Sequence, residues 1–203
     1  ASNGTLYASD EEGLRIVKVD PSSGAVTTVS PASQHWSHPS GLVLEPDQRH
    51  MWVADKDNNR VVEVDVTTGV IGRIVGGTGK FNAPETLTID AAGMLYVADT
   101  YNYRVVKVDP SSGAFTWTQT ACQASPLLRM RGIAFGTDGQ LYVGDTDQAR
   151  IVILDPATGS CTGMFGTRGT GPGQFAEPRG VSSDGQGGLW VAENGNARLQ
   201  HVT

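Results

Sequence analysis

The 203-residue chain has no long apolar run. Its uncharged hydrophobic stretches last only a few residues, which excludes a membrane-spanning helix. It also lacks a basic excess: the formal net charge is −6, and the Lys and Arg residues are scattered one or two per repeat. Phosphate binding needs a basic stripe, so nucleic acid is not an expected partner. Cysteine is scarce. Cys122 and Cys161 are the only two; a pair would suit a secreted protein, but the repeat described next places them near opposite faces, which argues against a bridge that needs Cα atoms within about 7 Å. No Ser/His/Asp set of recognisable spacing, phosphate-binding loop or CxxC pair occurs. The chain opens ASNGT, with neither an initiator Met nor a signal peptide, and is expected to be processed or excised from something longer.

What is present is a repeat. LYASD-EEGL-RIVKVD, MWVAD-KDNN-RVVEVD, LYVAD-TYNY-RVVKVD, LYVGD-TDQA-RIVILD and LWVAE-NGNA-RLQHV follow one another along the chain. Their carboxylates are Asp10, Asp55, Asp99, Asp145 and Glu193, and their arginines Arg15, Arg60, Arg104, Arg150 and Arg198. Both series step by 45, 44, 46 and 48 residues. A period in the forties with several short strands per unit predicts β-propeller blades. Each full unit reads as four strands: an inner one (GLVLE, TLTID, GIAFG or GVSSD), the LYVAD-type strand, the RVVKVD-type strand and an outer one. DPSSG, DVTTG, DPSSG and DPATG turns precede the outer strands, with Pro presetting φ and Gly taking the left-handed conformation.

The units resemble NHL repeats. Residues 169–202, GTGPGQFAEPRGVSSDGQGGLWVAENGNARLQHV, carry the Gly-rich lead, the Phe, Pro-Arg-Gly-Val, the Asp-Gly turn and Asn-x-Arg; residues 76–108 match nearly as well. The resemblance implies an all-β propeller of four-stranded antiparallel blades, with residues 1–203 as one NHL-type domain. The first unit lacks its inner strand and the last its outer strand. A six-bladed ring with a part missing, supplied by a longer chain or an assembly, is therefore expected, with a closed five-bladed ring as the alternative. The likeness is unspecific for function, since such propellers serve as interaction platforms, RNA binders, extracellular modules and some lyases or hydrolases.

The recurring carboxylate–arginine pairs are expected to brace loops, because a catalytic site needs asymmetry. Functional candidates lie where the repeats disagree. Aligned positions leading into the inner strands are Ser40, Glu85, Arg131 and Arg179, which would crowd the channel mouth and could hold an anionic or polar ligand, or form a mutually satisfied ion network. His35 and His38, in His35-Trp36-Ser37-His38, are weak metal candidates, since no matching His recurs. Trp36, Lys56, Tyr101 and Tyr103 are candidate partner contacts, whereas Phe81 and Phe175 read as packing plugs. Asn3 opens an Asn-Gly-Thr glycosylation sequon. These features favour a non-catalytic extracellular or secreted scaffold that presents loops to a protein or glycan, with no cofactor. The alternative is a lactonase-, lyase- or hydrolase-type enzyme with zinc or calcium at the channel mouth, using Glu85 as ligand or base, the arginines as clamps and the histidines as ligands.

Overall fold

The computed structural model describes residues 1, 4–77 and 79–203; the Asn3 sequon therefore lies outside the described residues. The first blade is β1 (Leu6–Asp10), β2 (Arg15–Val19) and β3 (Val26–Ser30). The second is β4 (Pro39–Leu44), β5 (His50–Asp55), β6 (Arg60–Asp65) and β7 (Ile71–Gly76). The third is β8 (Pro84–Ile89), β9 (Leu95–Asp99), β10 (Arg104–Asp109) and β11 (Ala114–Gln119). A hairpin of β12 (Ala121–Cys122) and β13 (Ser125–Pro126) precedes the fourth blade. That blade is β14 (Met130–Phe135), β15 (Leu141–Asp145), β16 (Arg150–Leu154) and β17 (Cys161–Phe165). A short parallel pair, β18 (Thr167–Arg168) and β19 (Gln174–Phe175), leads to the fifth blade, β20 (Pro178–Ser183), β21 (Leu189–Glu193) and β22 (Arg198–Val202).

Every blade is an antiparallel meander, three-stranded at both ends and four-stranded between, as the strand count in the sequence predicts. The turns form for the reasons read from the residues. In Asp20-Pro-Ser-Ser-Gly24, Asp20 Oδ1 accepts from the Ser22 N–H at 2.9 Å, Gly24 N–H donates to the Asp20 carbonyl at 2.8 Å, and Gly24 sits at φ +72°. Third strands such as β6 and β10 are buried on both faces (Val61, Val62, Val105 and Val106 are inaccessible) because each lies between two neighbouring blades. Burial of each such valine contributes about 1.5–3 kcal/mol.

Inner strands pack in succession, β4 on β8, β8 on β14 and β14 on β20, and β1 packs on β4. The approach is close enough to need glycine at two places. A Cβ on Gly41 would lie 2.6 Å from the Thr86 Cα, and one on Gly132 would lie 2.6 Å from the Arg179 carbonyl oxygen. The first and last blades make no comparable packing among the described residues, so the five blades stand around an axis without closing. Leu6, Val26, Trp190 and Leu199 are accordingly exposed on the two terminal blades. Among the described residues, no helix is long and apolar enough to cross a membrane.

The expectation against a disulfide is corrected. Cys122 and Cys161 are bonded, with Cα atoms 5.3 Å apart. The 121–126 segment is not a plain connection between blades but a hairpin, turned by Gln123 and Ala124 at φ +49° and +64°. It lays Cys122 against β17, where its Sγ comes within 3.6 Å of the Gly163 carbonyl oxygen.

Candidate functional site at the channel mouth

The repeated carboxylates and arginines build the platform for the site. Asp55, Asp99, Asp145 and Glu193 each end a second strand, and each accepts the Nε–H of the arginine opening the third strand, at 2.7, 2.7, 2.8 and 2.6 Å. The other carboxylate oxygen accepts a backbone N–H from the loop that leads into the same blade's inner strand: Ser37, Asn82, Leu128 and Ala176 at 2.7–2.8 Å. One carboxylate thus ties together the two loops that end at the mouth. The residue before each arginine (Asn59, Tyr103, Ala149 and Ala197) takes a left-handed φ of +46° to +55°, turning the chain into the third strand. In the first blade, the Asp10–Arg15 pair forms at 2.7 Å on an exposed edge.

Just past that tie, every inner strand is bulged. Pro84 pairs with Asp99 but Thr86 with Ala98, so Glu85 is the extra residue; Arg131 and Arg179 are extra in the same way, and Ser40 lies in the corresponding irregularity of β4. A bulge frees a side chain from the strand's alternation and re-aims it. Here it turns four non-repeated side chains toward the axis. With Glu11 and Lys56, from the loops after β1 and β5, they line a cavity of about 220 Å³. A second cavity of about 110 Å³, lined in part by Arg129, Asp147 and Glu177, shares Arg131 and Arg179 with the first. A further cavity of about 500 Å³ runs along the first blade beside Lys18, Asp20 and Thr27, away from this convergence of charge.

Glu85, only 8% exposed, is the centre of the mouth. Lys56 Nζ lies 3.0 Å from its Oε1 and Arg131 Nε 3.0 Å from its Oε2, while Lys56 also approaches Glu11 at 3.6 Å. Burial pulls the Lys56 pKa down, but the contacts with Glu85, Glu11 and Asp57 outweigh it and hold the ammonium above its ordinary 10.5. The Arg131 contact is an ion pair by distance without hydrogen-bond alignment: its Nε is buried and unpartnered. An unsatisfied buried donor costs about 1–3 kcal/mol. Arg179, half-exposed, pairs with Glu177 at 3.3 Å, and the Glu177 carboxyl is held below its usual range by Asn194 first and then by Arg179.

Other sequence candidates fall elsewhere. Trp36 is corrected: at 3% exposure it belongs to the core between the first two blades, its indole N–H donating to Ser30 Oγ at 3.1 Å, instead of standing on an exposed contact surface. Lys56 joins the mouth instead of a separate contact surface, while Tyr101 and Tyr103 are exposed. Phe81 and Phe175 are buried. His38 Nδ1 contacts Asp57 at 2.6 Å, and His35 contributes its carbonyl oxygen to Asn58.

The expectation of no cofactor is also corrected. Glu45, Asp47 and His50 bring three ligand atoms within 4.8 Å of one another, a set able to hold a cation. The signal was present as two carboxylates and an imidazole within six residues, and the turn between β4 and β5 closes them together. His50 begins β5 and Lys56 follows its end, so this set lies at the other end of the strand from the mouth, about 20 Å away at ~3.3 Å per residue. The mouth itself does not fit a metal. Both Glu85 oxygens already face cations, and three positive side chains converge where the ion would sit. His35 and His38 add no ligand cluster among the described residues.

The blades share the carboxylate–arginine tie and differ at the charged axial mouth. The chain belongs to the SMP-30/Gluconolactonase/LRE-like region family, whose model matches residues 4–127. The NHL repeat model matches residues 175–202, so the NHL likeness is shown for the last blade and the broader family for the chain. Among solved structures, virginiamycin B lyase from Staphylococcus aureus is 18% identical, covering 100% of this chain and 67% of that one, with a TM-score of 0.72. A gluconolactonase from Xanthomonas campestris is 20% identical, covering 98% and 71%, with a TM-score of 0.73. NHL repeat-containing protein 3 of Mus musculus is 32% identical over 93 residues, 43% of this chain and 26% of that protein. The chain thus spans about a quarter of that curated relative. Membership of a gluconolactonase-type family, together with the cation-capable triad, overturns the expectation of a non-catalytic scaffold or protein-binding module and of no enzyme.

Proposed function

We propose that the chain forms the catalytic propeller of a lactonase- or lyase-type enzyme acting at the channel mouth. The observation that carries this reading is the bulge-presented Glu85, held between Lys56 and Arg131 in the wall of a small cavity where the repeats cease to repeat. In lactone opening, a substrate carbonyl oxygen faces Lys56, and a water adds to the carbonyl carbon while Glu85 takes its proton. The ammonium carries the negative charge that develops on the carbonyl oxygen. Collapse breaks the ring C–O bond, and the leaving oxygen recovers the proton from Glu85. No step runs through a metal; a cation held by Glu45, Asp47 and His50 would clamp the β4–β5 turn on the far face. Exposed Tyr101 and Tyr103, on the same face as the mouth, would contact any protein or glycan that carries the reacting group. The Cys122–Cys161 bond supports an extracellular or secreted setting.

The test is lactone hydrolysis followed by pH-stat, with glucono-1,5-lactone among the substrates, before and after chelation and with calcium or zinc restored. Glu85→Gln is expected to lower kcat by about 10²–10⁴-fold while leaving the circular dichroism unchanged. A wild-type protein that opens no lactone above the uncatalysed rate under any of these conditions would refute the reading.

A further inference from the structure

We infer that the mouth is an anion site, so that the substrate of the proposed reaction carries a carboxylate beside its reacting carbonyl; this rests on the lactonase-type reading above. Three observations converge. First, the Arg131 guanidinium makes no hydrogen bond among the described residues, although its side chain is only 15% exposed and its Nε is fully buried. A planar fork held this way, with its donors unspent, matches the two oxygens of a carboxylate. Second, three cations line the cavity. Lys56, Arg131 and Arg179 stand against Glu85 and Glu11, and the carboxylate paired with Arg179, Glu177, lines the adjoining cavity instead.

Third, the cations are held in place by separate means. Glu85 positions Arg131 and Lys56 from within the wall, whereas Arg179 has a single 3.3 Å contact to Glu177 and stands between the two cavities. Arg129, beside them, is already engaged by Asp147 at 2.7 Å, which leaves Arg131 and Arg179 as the pair open to a ligand. The cavity of about 220 Å³ has room for a ligand the size of roughly seven waters at ~30 Å³ each, that is, a small organic acid. Among the bulged positions of the described inner strands, those of β8, β14 and β20 carry charge, whereas that of β4 carries Ser40.

The probe is malonate, titrated calorimetrically into the purified full chain, with calcium and zinc titrated separately. One malonate per chain is expected, with affinity falling as salt rises. Arg131→Met and Arg179→Met should each weaken it at least tenfold. Arg179 is half-exposed and outside the core, so its variant keeps the test valid should Arg131→Met fail to fold. In the kinetic arm, anionic glucaro-1,4-lactone should be opened with a kcat/KM at least tenfold above that of neutral glucono-1,5-lactone, and Arg179→Met should erase that preference. The inference is overturned if malonate does not bind, if it binds both variants as tightly as wild type, or if calcium or zinc binds at a site lost in Glu85→Gln. Opening of the neutral lactone without malonate binding overturns the anion site and leaves the enzyme reading standing. Malonate binding with neither lactone opened does the reverse.

Discussion

Asp99→Ala tests whether the repeated carboxylate holds the mouth loops together. Asp99 is fully buried and accepts three hydrogen bonds: from the Asn82 N–H at 2.7 Å, from Asn102 Nδ2 at 2.8 Å and from Arg104 Nε at 2.7 Å. Alanine removes the acceptor from all three donors and leaves the guanidinium without its counter-charge. Breaking a buried pair from one side costs about 3–5 kcal/mol. The lower end applies here, because the Arg104 side chain keeps about a quarter of its exposure and Arg104 Nη2 retains the Lys80 carbonyl at 2.6 Å. About 3 kcal/mol corresponds to a fall in melting temperature of roughly 6–12 °C for a chain of this size. Calorimetry reads it directly. Asp10→Ala is the matched control: the same residue in the same repeat, but paired at an exposed edge where solvent screens it, so no resolvable shift is expected. A shift under about 2 °C for Asp99→Ala, or equal shifts for the two variants, would show that the carboxylate does not brace the fold.

The remaining predictions concern the bridge, acid and cations. Replacing both Cys122 and Cys161 by Ala releases a cross-link spanning 39 residues and should lower unfolding free energy by about 2–4 kcal/mol in urea titration; an unchanged midpoint would refute it. Hydrogen bonds from Ser22 hold Asp20, Arg49 holds Asp65 and Ser111 holds Asp109 at about 2, against an ordinary 3.8. Their contribution to stability is fully present above pH 3.8 and is lost as pH falls through about 2, so the melting temperature should drop across that window and the drop should shrink in Asp20→Asn. Zinc should raise the melting temperature of wild type but not of His50→Ala; an equal rise in both would place the ion outside the Glu45–Asp47–His50 set.

The sequence by itself determined the blades. Strand alternation, the DPSSG-type turns and the 45-residue step each act within a few residues, and they specify three strands, three sets of four, and three again without reference to the rest of the chain. The carboxylate–arginine partnership is equally local, since a tight connection between second and third strands brings residues five apart face to face. Even the mouth was readable as a position, because Ser40, Glu85, Arg131 and Arg179 occupy one place in four copies of the same strand. Their environment was not. Lys56 and Glu11 join them from the loops after β5 and β1, and the bulges that aim them are irregularities in the pairing of each inner strand with the second strand of its blade, which the local alternation does not announce. The burial of Trp36 depends on a neighbouring blade closing over it. The disulfide depends on a hairpin turned by two non-glycine residues at positive φ, a conformation that neither residue announces. Charge convergence and cross-links are decided by distances in space between segments that lie apart in the chain, such as Lys56 and Glu85 or Cys122 and Cys161, and a repeat encodes only the geometry within its own unit.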